Sequence, residues 1–236
     1  MLQICTVVGE IVNQKVEYQE DAADFTIKCH TFYATQQAVV ERDAYIVVKP
    51  SKYVSQSVFA TLSEGNLVLV QGTLEGTELG NPFLDGGGKG VFTLEAGEIQ
   101  KLAEVADTSR GSDFLQVIAL GNLGRDSEQR STHSGKDLTT ASMAVNTYVS
   151  KDVSRVIWLK LTAWIATVLD RMKKGQRALV VGIPSFDPLT GGPNSWMSTE
   201  GEPRSGYEIT VKRIIPLDRV QASAPQDDYE PEDIPF

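Results

Sequence analysis

The sequence predicts an all-β chain of two small barrels in tandem, each with one short helix. The second half gives the order strand, hairpin, long strand, short helix, strand: it opens with Leu115-Gln116-Val117, turns at Ser134-Gly135-Lys136 and closes with residues 178–182. The first hundred residues give the same order, about 110 residues earlier, which indicates duplication of one unit. This order is typical of the OB fold, a five-stranded barrel that binds single strands on an open face.

The elements of the first half follow from apolar patterning and turn residues. Strands are predicted where apolar runs or strict alternation occur between turn signals, and a helix where apolar residues recur at helical spacing. Gly65 and Gly72 stand seven apart after that helix, as Gly175 and Gly182 do in the second half. The predicted elements are strands at residues 2–12, 25–33, 45–48, 67–72 and 91–94, a helix from Pro50 to Gly65, and a mobile loop at residues 81–90.

The composition divides the chain into four segments. We expect a divergent, acidic OB fold at residues 1–103, a polar linker at 104–112, a second OB fold at 113–218 and a disordered acidic tail at 219–236. The tail prediction depends on residues 221–233, which have almost no apolar side chains. Two unrelated β-rich domains are the alternative to a duplication.

The net charge of −9 is unevenly distributed along the chain. Residues 1–103 hold 7 Lys and Arg against 13 Asp and Glu, a balance of −6. Residues 104–220 hold 15 against 13, a balance of +2, and residues 221–236 hold five acids and no base. Because phosphate contacts need local cations rather than a basic whole chain, residues 104–220 are the candidate for binding nucleic acid.

The sequence offers no pattern of an enzyme, a metal site or a cofactor site. Cys5 and Cys29 lie in strand-like apolar runs, so we expect buried free thiols, with a disulfide as the alternative. Together with His30 and His133 they give no regular zinc spacing. The run Gly86-Gly87-Gly88-Lys89-Gly90 lacks the spacing of a phosphate loop. No run of 18 uncharged apolar residues is present, so a membrane span is not expected.

Four motifs within residues 113–218 carry a resemblance to a known family. They are Leu115 to Asp126, Ala141 to Asn146, Trp158 to Trp164, and Lys173-Lys174-Gly175 with the strand that follows it. In this order they resemble the DNA-binding domain of bacterial single-stranded DNA-binding proteins, over residues 113–218. The resemblance implies binding of single-stranded DNA without marked sequence specificity, in replication, recombination and repair.

The resemblance also implies which side chains bind DNA. Trp158 and Trp164 match the stacking aromatics of the central strand, and their spacing of six puts them on one face of that strand. Trp196 matches the aromatic of the outer hairpin, which here carries an insertion at residues 187–193. Tyr148 is the nearest residue to the aromatic of the first hairpin, displaced by one position. The implied phosphate-binding cations are Arg130, Lys160, Lys174 and Arg204.

The first barrel departs further from the family because it has no tryptophan and no lysine pair. Rings at Tyr18, Phe32, Tyr33, Tyr45 and Phe83 are available to it. Either it is a weaker DNA-binding barrel or it serves assembly, and its charge favours assembly.

The resemblance extends to the tail and to the assembly. The ending Asp233-Ile234-Pro235-Phe236 resembles the family's tip, which implies that it captures replication and repair proteins. Because the family presents four OB folds, the resemblance implies a homodimer of this two-barrel chain. It also implies a cytoplasmic, nucleoid-associated protein. The alternative function is an OB-fold assembly module of the primosome type, which binds mainly protein.

Overall fold

The computed structural model describes residues 3–14, 24–34, 39–104, 113–131, 135–150, 153–164 and 168–218. Its helices among these residues are one turn each, too short to cross a membrane. The elements are β1 (Gln3–Gln14), β2 (Phe25–Ala34), β3 (Val39–Pro50), α1 (Gln56–Phe59), β4 (Leu67–Leu74), β5 (Phe83–Leu84), β6 (Gly90–Ala103), β7 (Phe114–Leu123), β8 (Glu128–Ser131), β9 (Asp137–Ser150), β10 (Val153–Ala163), a 3-10 helix (Val168–Arg171), β11 (Arg177–Ser185), β12 (Asn194–Met197) and β13 (Pro203–Pro216).

The strands close into two barrels of the same topology. In the first, β1 pairs with β2 and β4, β2 with β3, and β6 closes the ring by pairing parallel to β3 and antiparallel to β4. In the second, β7, β9, β10, β13 and β11 form the equivalent ring, again with one parallel pair, between β10 and β13. The predicted fold of two tandem OB barrels is confirmed. Strict alternation of buried and half-buried residues along β7 shows why: one side of each strand fills a barrel.

A β-bulge at the same place in each barrel explains the repeated glycines. The register slips between Gln71 and Gly72 in the first barrel and between Val181 and Gly182 in the second. A Cβ on Gly72 would collide with the carbonyl of Glu95, so only glycine lets the partner strand approach here. The two glycines are therefore structurally equivalent positions, as their spacing predicts.

The barrels are joined by antiparallel pairing of their first strands. Cys5 pairs with Gly72 and Val117 with Gly182, so Cys5 and Val117 are equivalent positions. Across the joint, Cys5 pairs with Val117 itself. A pseudo-two-fold axis therefore passes through this pair. The offset between the two first strands is therefore 112 residues, in agreement with the spacing of about 110 residues that the sequence indicates.

The two barrels also share a core away from the joint. Phe92 on β6 and Tyr207 on β13 are equivalent, because each follows the parallel register of its barrel: Ile46 pairs with Phe92 and Leu159 with Tyr207. Their rings meet edge-on with centroids 5.2 Å apart, and Phe186 lies 5.3 Å from Phe92. Phe92 and Tyr207 are each 1% exposed, and burial raises the pKa of the Tyr207 hydroxyl. Rings from both barrels therefore bury one another in this cluster.

Several predicted elements differ in length from those observed. The helix predicted from Pro50 to Gly65 is only α1, and Tyr53, inside the predicted range, is 79% exposed. The predicted strand at residues 91–94 runs on as β6 because it pairs with the whole of β4. In the loop predicted as mobile, β5 forms and the Asp85 carboxylate accepts hydrogen bonds from the Gly87 and Lys89 amides.

The predictions for the linker and the tail fall mainly outside the described residues, at 105–112 and 219–236. Their limits therefore stay predictions. Cys5 and Cys29 are both free and buried, as expected. Burial raises the pKa of the Cys5 thiol to about 12 and also raises that of Cys29, so both thiols stay protonated at neutral pH.

The shared core predicts one cooperative unfolding unit. Phe92→Ala should lower the free energy of unfolding by about 3–5 kcal/mol, because the cavity opens between the barrels. Urea denaturation followed by tryptophan fluorescence, which reports the second barrel, and by circular dichroism should give one coincident transition. Tyr53→Ala, on an exposed side chain, is the control and should change stability by less than about 0.5 kcal/mol. Two separate transitions, of which Phe92→Ala shifts only the one that tryptophan fluorescence does not report, would contradict a single unfolding unit.

Candidate nucleic-acid interface

Strand β10 has a polar and aromatic face toward solvent and an apolar face toward the barrel interior. Leu159 and Leu161 are buried, whereas Trp158 and Trp164 are 39% and 48% exposed. Lys160 lies between them on the same outward side, its side chain 52% exposed. The alternation therefore places both rings on the outside of the barrel, as the spacing predicts.

Trp196 joins them from the neighbouring hairpin. It pairs with Arg204 across β12 and β13, is 54% exposed, and its ring lies where a side chain on Gly206 would be. Because Leu159 pairs with Tyr207, Gly206 is the β13 neighbour of Trp158. All three tryptophans thus lie on one outer surface, formed by β9, β10, β13 and β12, which we call the tryptophan face.

The indole of Trp158 lies between two glycines from different barrels. A Cβ on Gly124 would stand 2.6 Å from its Cζ3 atom, and a Cβ on Gly80 would stand 3.1 Å from its Cδ1 atom. The Trp158 amide also donates a hydrogen bond of 3.0 Å to the Gly80 carbonyl. The ring is therefore confined at both ends and the backbone is held by one hydrogen bond, while the side chain as a whole stays 39% exposed.

A half-buried carboxylate lies in the middle of the tryptophan face. Glu208, on β13, is the register partner of Lys160, and its side chain is 16% exposed. It accepts hydrogen bonds from the Lys160 ammonium at 2.9 Å, the Thr162 hydroxyl at 2.7 Å and the Asn194 amide at 3.2 Å. The network joins the outer hairpin to the central strand and holds Lys160 in place. Sequence reasoning missed Glu208, because nothing in a lone glutamate indicates its neighbours across a parallel pair.

The two predicted arginines are exposed and each is paired with a nearby glutamate. Arg130, on β8, contacts Glu128 at 2.6 Å, and this hydrogen bond lowers the pKa of the Glu128 carboxyl. Arg204 contacts Glu202 at 2.6 Å. Exposed ion pairs of this kind contribute little to stability, so a phosphate can replace the glutamate at low cost.

The predicted Lys174 lies against the turn between β7 and β8 rather than on the strands of the tryptophan face. Its backbone amide donates to the Asp126 carboxylate at 2.9 Å, and the Lys173 ammonium contacts the same carboxylate at 3.3 Å. These contacts, the backbone hydrogen bond first, lower the pKa of Asp126. Tyr148 lies on β9 opposite Ser154, at the far end of the strand from the hairpin tip.

The remaining predicted residues lie outside the described part of the chain. These are the tail residues Asp233, Ile234, Pro235 and Phe236, and also Tyr18 and His133. Within the described part, no group of three His, Cys, Asp or Glu side chains could hold a metal ion.

The insertion at residues 187–193 lies against the first barrel. Its Gly191 carbonyl accepts a hydrogen bond of 2.9 Å from the Tyr45 amide, the mirror of the bond between Trp158 and Gly80. The strand register makes Tyr45 the equivalent of Trp158. Tyr45 precedes Ile46, which pairs with Phe92, and Trp158 precedes Leu159, which pairs with Tyr207. Tyr45 is 41% exposed. The sequence did not reveal this equivalence because a tyrosine replaces the tryptophan.

Comparison with known proteins identifies the fold and the second domain. The profile of the family described as "Single-strand binding protein family" matches residues 114–217. The single-stranded DNA-binding protein of Thermus aquaticus is 30% identical over 165 residues, which is 65% of this chain and 59% of that protein. That of Deinococcus radiodurans is 25% identical over 193 residues, 76% of this chain and 60% of that protein. The chain thus spans about three fifths of the length of these relatives.

A solved structure extends the likeness of fold over both barrels. The crystal structure of the wild-type Thermus aquaticus protein superposes with a TM-score of 0.61 at 21% identity, covering 94% of this chain and 96% of that one. The profile match, these relatives and the two-barrel fold agree. The profile match therefore identifies residues 114–217 as a domain of the single-strand binding protein family.

Proposed function

We propose that this chain binds and protects single-stranded DNA, without marked sequence specificity, in replication, recombination and repair. The observation that carries the proposal is the tryptophan face, where Trp158, Trp164 and Trp196 are all partly exposed on one surface. Base stacking on aromatic rings is sequence-tolerant, because every base has a π-face, and contributes about 1–3 kcal/mol per base. The family match over residues 114–217 supports a binding protein rather than an enzyme.

The cations around the face suit a backbone that runs along its rim. Arg130 and Arg204 lie on strands of the same surface, on either side of β10, and each is paired with an exposed glutamate. Lys160 lies inside the face but is held by the half-buried Glu208. We infer that phosphates follow the arginines while bases occupy the centre, where a carboxylate would repel a phosphate.

The first barrel repeats this surface with weaker groups. Tyr45 stands at the position of Trp158, and Phe83 lies under the Lys49 ammonium, 4.8 Å from its ring centre. Lys28, beside Tyr45 in register, is already paired with Glu10 at 3.0 Å. With a net charge of −6 over residues 1–103, this barrel serves mainly assembly in our proposal.

The first prediction tests binding and the division between barrels in the intact chain. Oligo-dT should quench tryptophan fluorescence, and a matching duplex should not. Trp158→Ala and Trp164→Ala should each weaken binding by about 1–3 kcal/mol. Tyr45→Ala is the matched control, at the equivalent position of the other barrel, and should change affinity less than about two-fold. Absence of quenching would refute the proposed site, and an equal loss in Tyr45→Ala would refute the division.

A second prediction concerns Glu208. Glu208→Gln should strengthen oligo-dT binding and steepen its salt dependence, because Lys160 becomes free to neutralise a phosphate. One added phosphate contact changes the slope of log K against log salt by about −0.7 for single strands. Glu98→Gln removes the same charge from an exposed site on the first barrel and serves as the control. An unchanged slope would mean that Lys160 does not contact phosphate even when released.

We also propose that two chains associate to give four OB folds. The outer side of the sheet formed by β4, β1, β7 and β11 carries two apolar rows, one of Ile4, Ile118 and Val181 and another of Leu120 and Leu179. A polar row of Gln71, Thr6 and Gln116 lies beside them. Phe114 at its edge is 46% exposed. We propose that the same surface of a second chain packs against it across a two-fold axis.

Sedimentation equilibrium tests this assembly. The wild-type protein should have twice the chain mass of 25.8 kDa, and Ile118→Asp should reduce it to one chain because a buried unpaired charge is costly. Leu189→Asp, at a loop residue that is 93% exposed, is the control and should remain dimeric. A monomeric wild-type protein would contradict the proposal.

The tail completes the proposed function, in a protein of the cytoplasm associated with the nucleoid. Residues 221–236 carry five acids and end in Asp233-Ile234-Pro235-Phe236. We propose that this tip recruits replication and repair proteins, since burial of one aromatic in a partner pocket is typical of hot spots.

Deleting residues 227–236 should abolish pull-down of these enzymes and leave DNA affinity unchanged, or raise it slightly at low salt. Phe236→Ala should cause most of the loss, whereas Tyr229→Ala, in the same tail, should not. Capture that survives both the deletion and Phe236→Ala would leave the tail as a solvated segment only. Partner capture without any DNA binding would instead favour the assembly-module function.

A further inference from the structure

We propose that a turn of the first barrel is part of the DNA-binding site of the second. The turn spans residues 77–81, and its Gly80 is a positioning residue for Trp158. The inference rests on the proposed function, because it assigns a role in the same site. The first barrel would then contribute to DNA binding by positioning Trp158, without supplying a cation or an aromatic ring itself.

The turn has a defined shape of its own. The Gly80 amide donates to the Thr77 carbonyl at 2.9 Å, and the Thr77 amide donates to the Asn81 carbonyl at 2.8 Å. Gly80 has a φ of +79°, in the left-handed region that favours glycine. The Gly80 carbonyl then accepts the 3.0 Å hydrogen bond from the Trp158 amide. The backbone of the central DNA-binding strand is thus fixed from the other barrel.

The turn approaches the strand too closely for any side chain. A Cβ on Gly80 would collide with the carbonyl of Val156 and would stand 3.1 Å from Cδ1 of Trp158. At the other end of the indole, Gly124 belongs to the second barrel. The orientation of the Trp158 ring therefore depends on both barrels, although the ring itself belongs to one.

Further contacts, made by the residues just before the turn, hold it against strand β10. The Glu75 side chain, 17% exposed, accepts from Arg155 on β10 at 3.3 Å, and the buried Tyr207 hydroxyl donates to the Glu75 carbonyl. Gly76 packs close to Ile157. Residues 155–158 are therefore followed along their length by residues 75–80. The contact is continuous rather than a single hydrogen bond.

The test compares two glycines that share a backbone conformation but not a neighbour. Gly65 has a φ of +85°, and no atom lies within 4 Å of the place where its Cβ would be, so Gly65→Ala imposes the backbone strain of Gly80→Ala without the collision. Each substitution is made in the full chain, and oligo-dT affinity is measured. Each is also made with Trp164→Phe and Trp196→Phe, so that acrylamide quenching without DNA reports on Trp158 alone.

We expect Gly80→Ala to increase quenching of Trp158 and to weaken oligo-dT binding about five-fold or more, the effect of losing one stacked base. Gly65→Ala should alter neither quenching nor affinity relative to its parent by more than about two-fold. Equal effects of the two substitutions would overturn the inference. If the wild-type chain fails to bind oligo-dT, the proposed function fails, and the quenching comparison alone still decides whether the turn positions Trp158.

A measurement on the unmodified protein covers the case in which Gly80→Ala does not fold. Hydrogen exchange of the Trp158 backbone amide should be as slow as that of its buried neighbours Ile157 and Leu159, because Gly80 accepts its hydrogen bond. Exchange at the rate of an unprotected amide would show that the turn does not hold the strand, and would overturn the inference.

Discussion

The antiparallel pairing of β1 with β7 is the interaction on which the rest of the molecule depends. It sets Cys5 opposite Val117 and so fixes a pseudo-two-fold axis between the barrels. Once that register is set, Phe92 and Tyr207 meet edge-on, and each barrel's turn reaches the central strand of the other. A slip of one residue would turn the core-facing side chains of one of these strands to the outer face of the sheet, so the joint is strongly specified.

The axis explains how two barrels of similar shape can differ in function. Both central strands offer an outward aromatic at the same place, Tyr45 in one barrel and Trp158 in the other. Beyond that position the outward residues diverge: the second barrel continues with Lys160 and Trp164, and the first does not. Differences in binding therefore lie in side chains on a common frame, rather than in the frame itself.

The sequence predicted the barrels well because their signals are local. Alternation along strands such as β7, the glycines at 72 and 182, and the turn residues each act within a few positions. The tryptophan face was predictable too, since a spacing of six on one strand determines the side on which Trp158 and Trp164 lie.

The long-range contacts were not predictable in this way. Glu208 faces Lys160 only through a parallel pair, and Gly80 reaches Trp158 only through the joint between barrels. The helix predicted to Gly65 was too long, and the apolar spacing behind it did not indicate that the Tyr53 side chain is exposed. Where a residue's partner lies in the other barrel, no periodicity indicates it.

Because both barrels are in one polypeptide, equivalent positions of the two barrels need not carry the same residue. In an assembly of identical barrels, every substitution appears on both sides of the axis, so a gain on one side can be cancelled by a clash on the other. In this chain the equivalent positions of the two barrels are encoded separately and can change independently. A phenol at Tyr207 can bond to the Glu75 carbonyl while its counterpart, Phe92, stays apolar. Each half can specialise while the other preserves the fit.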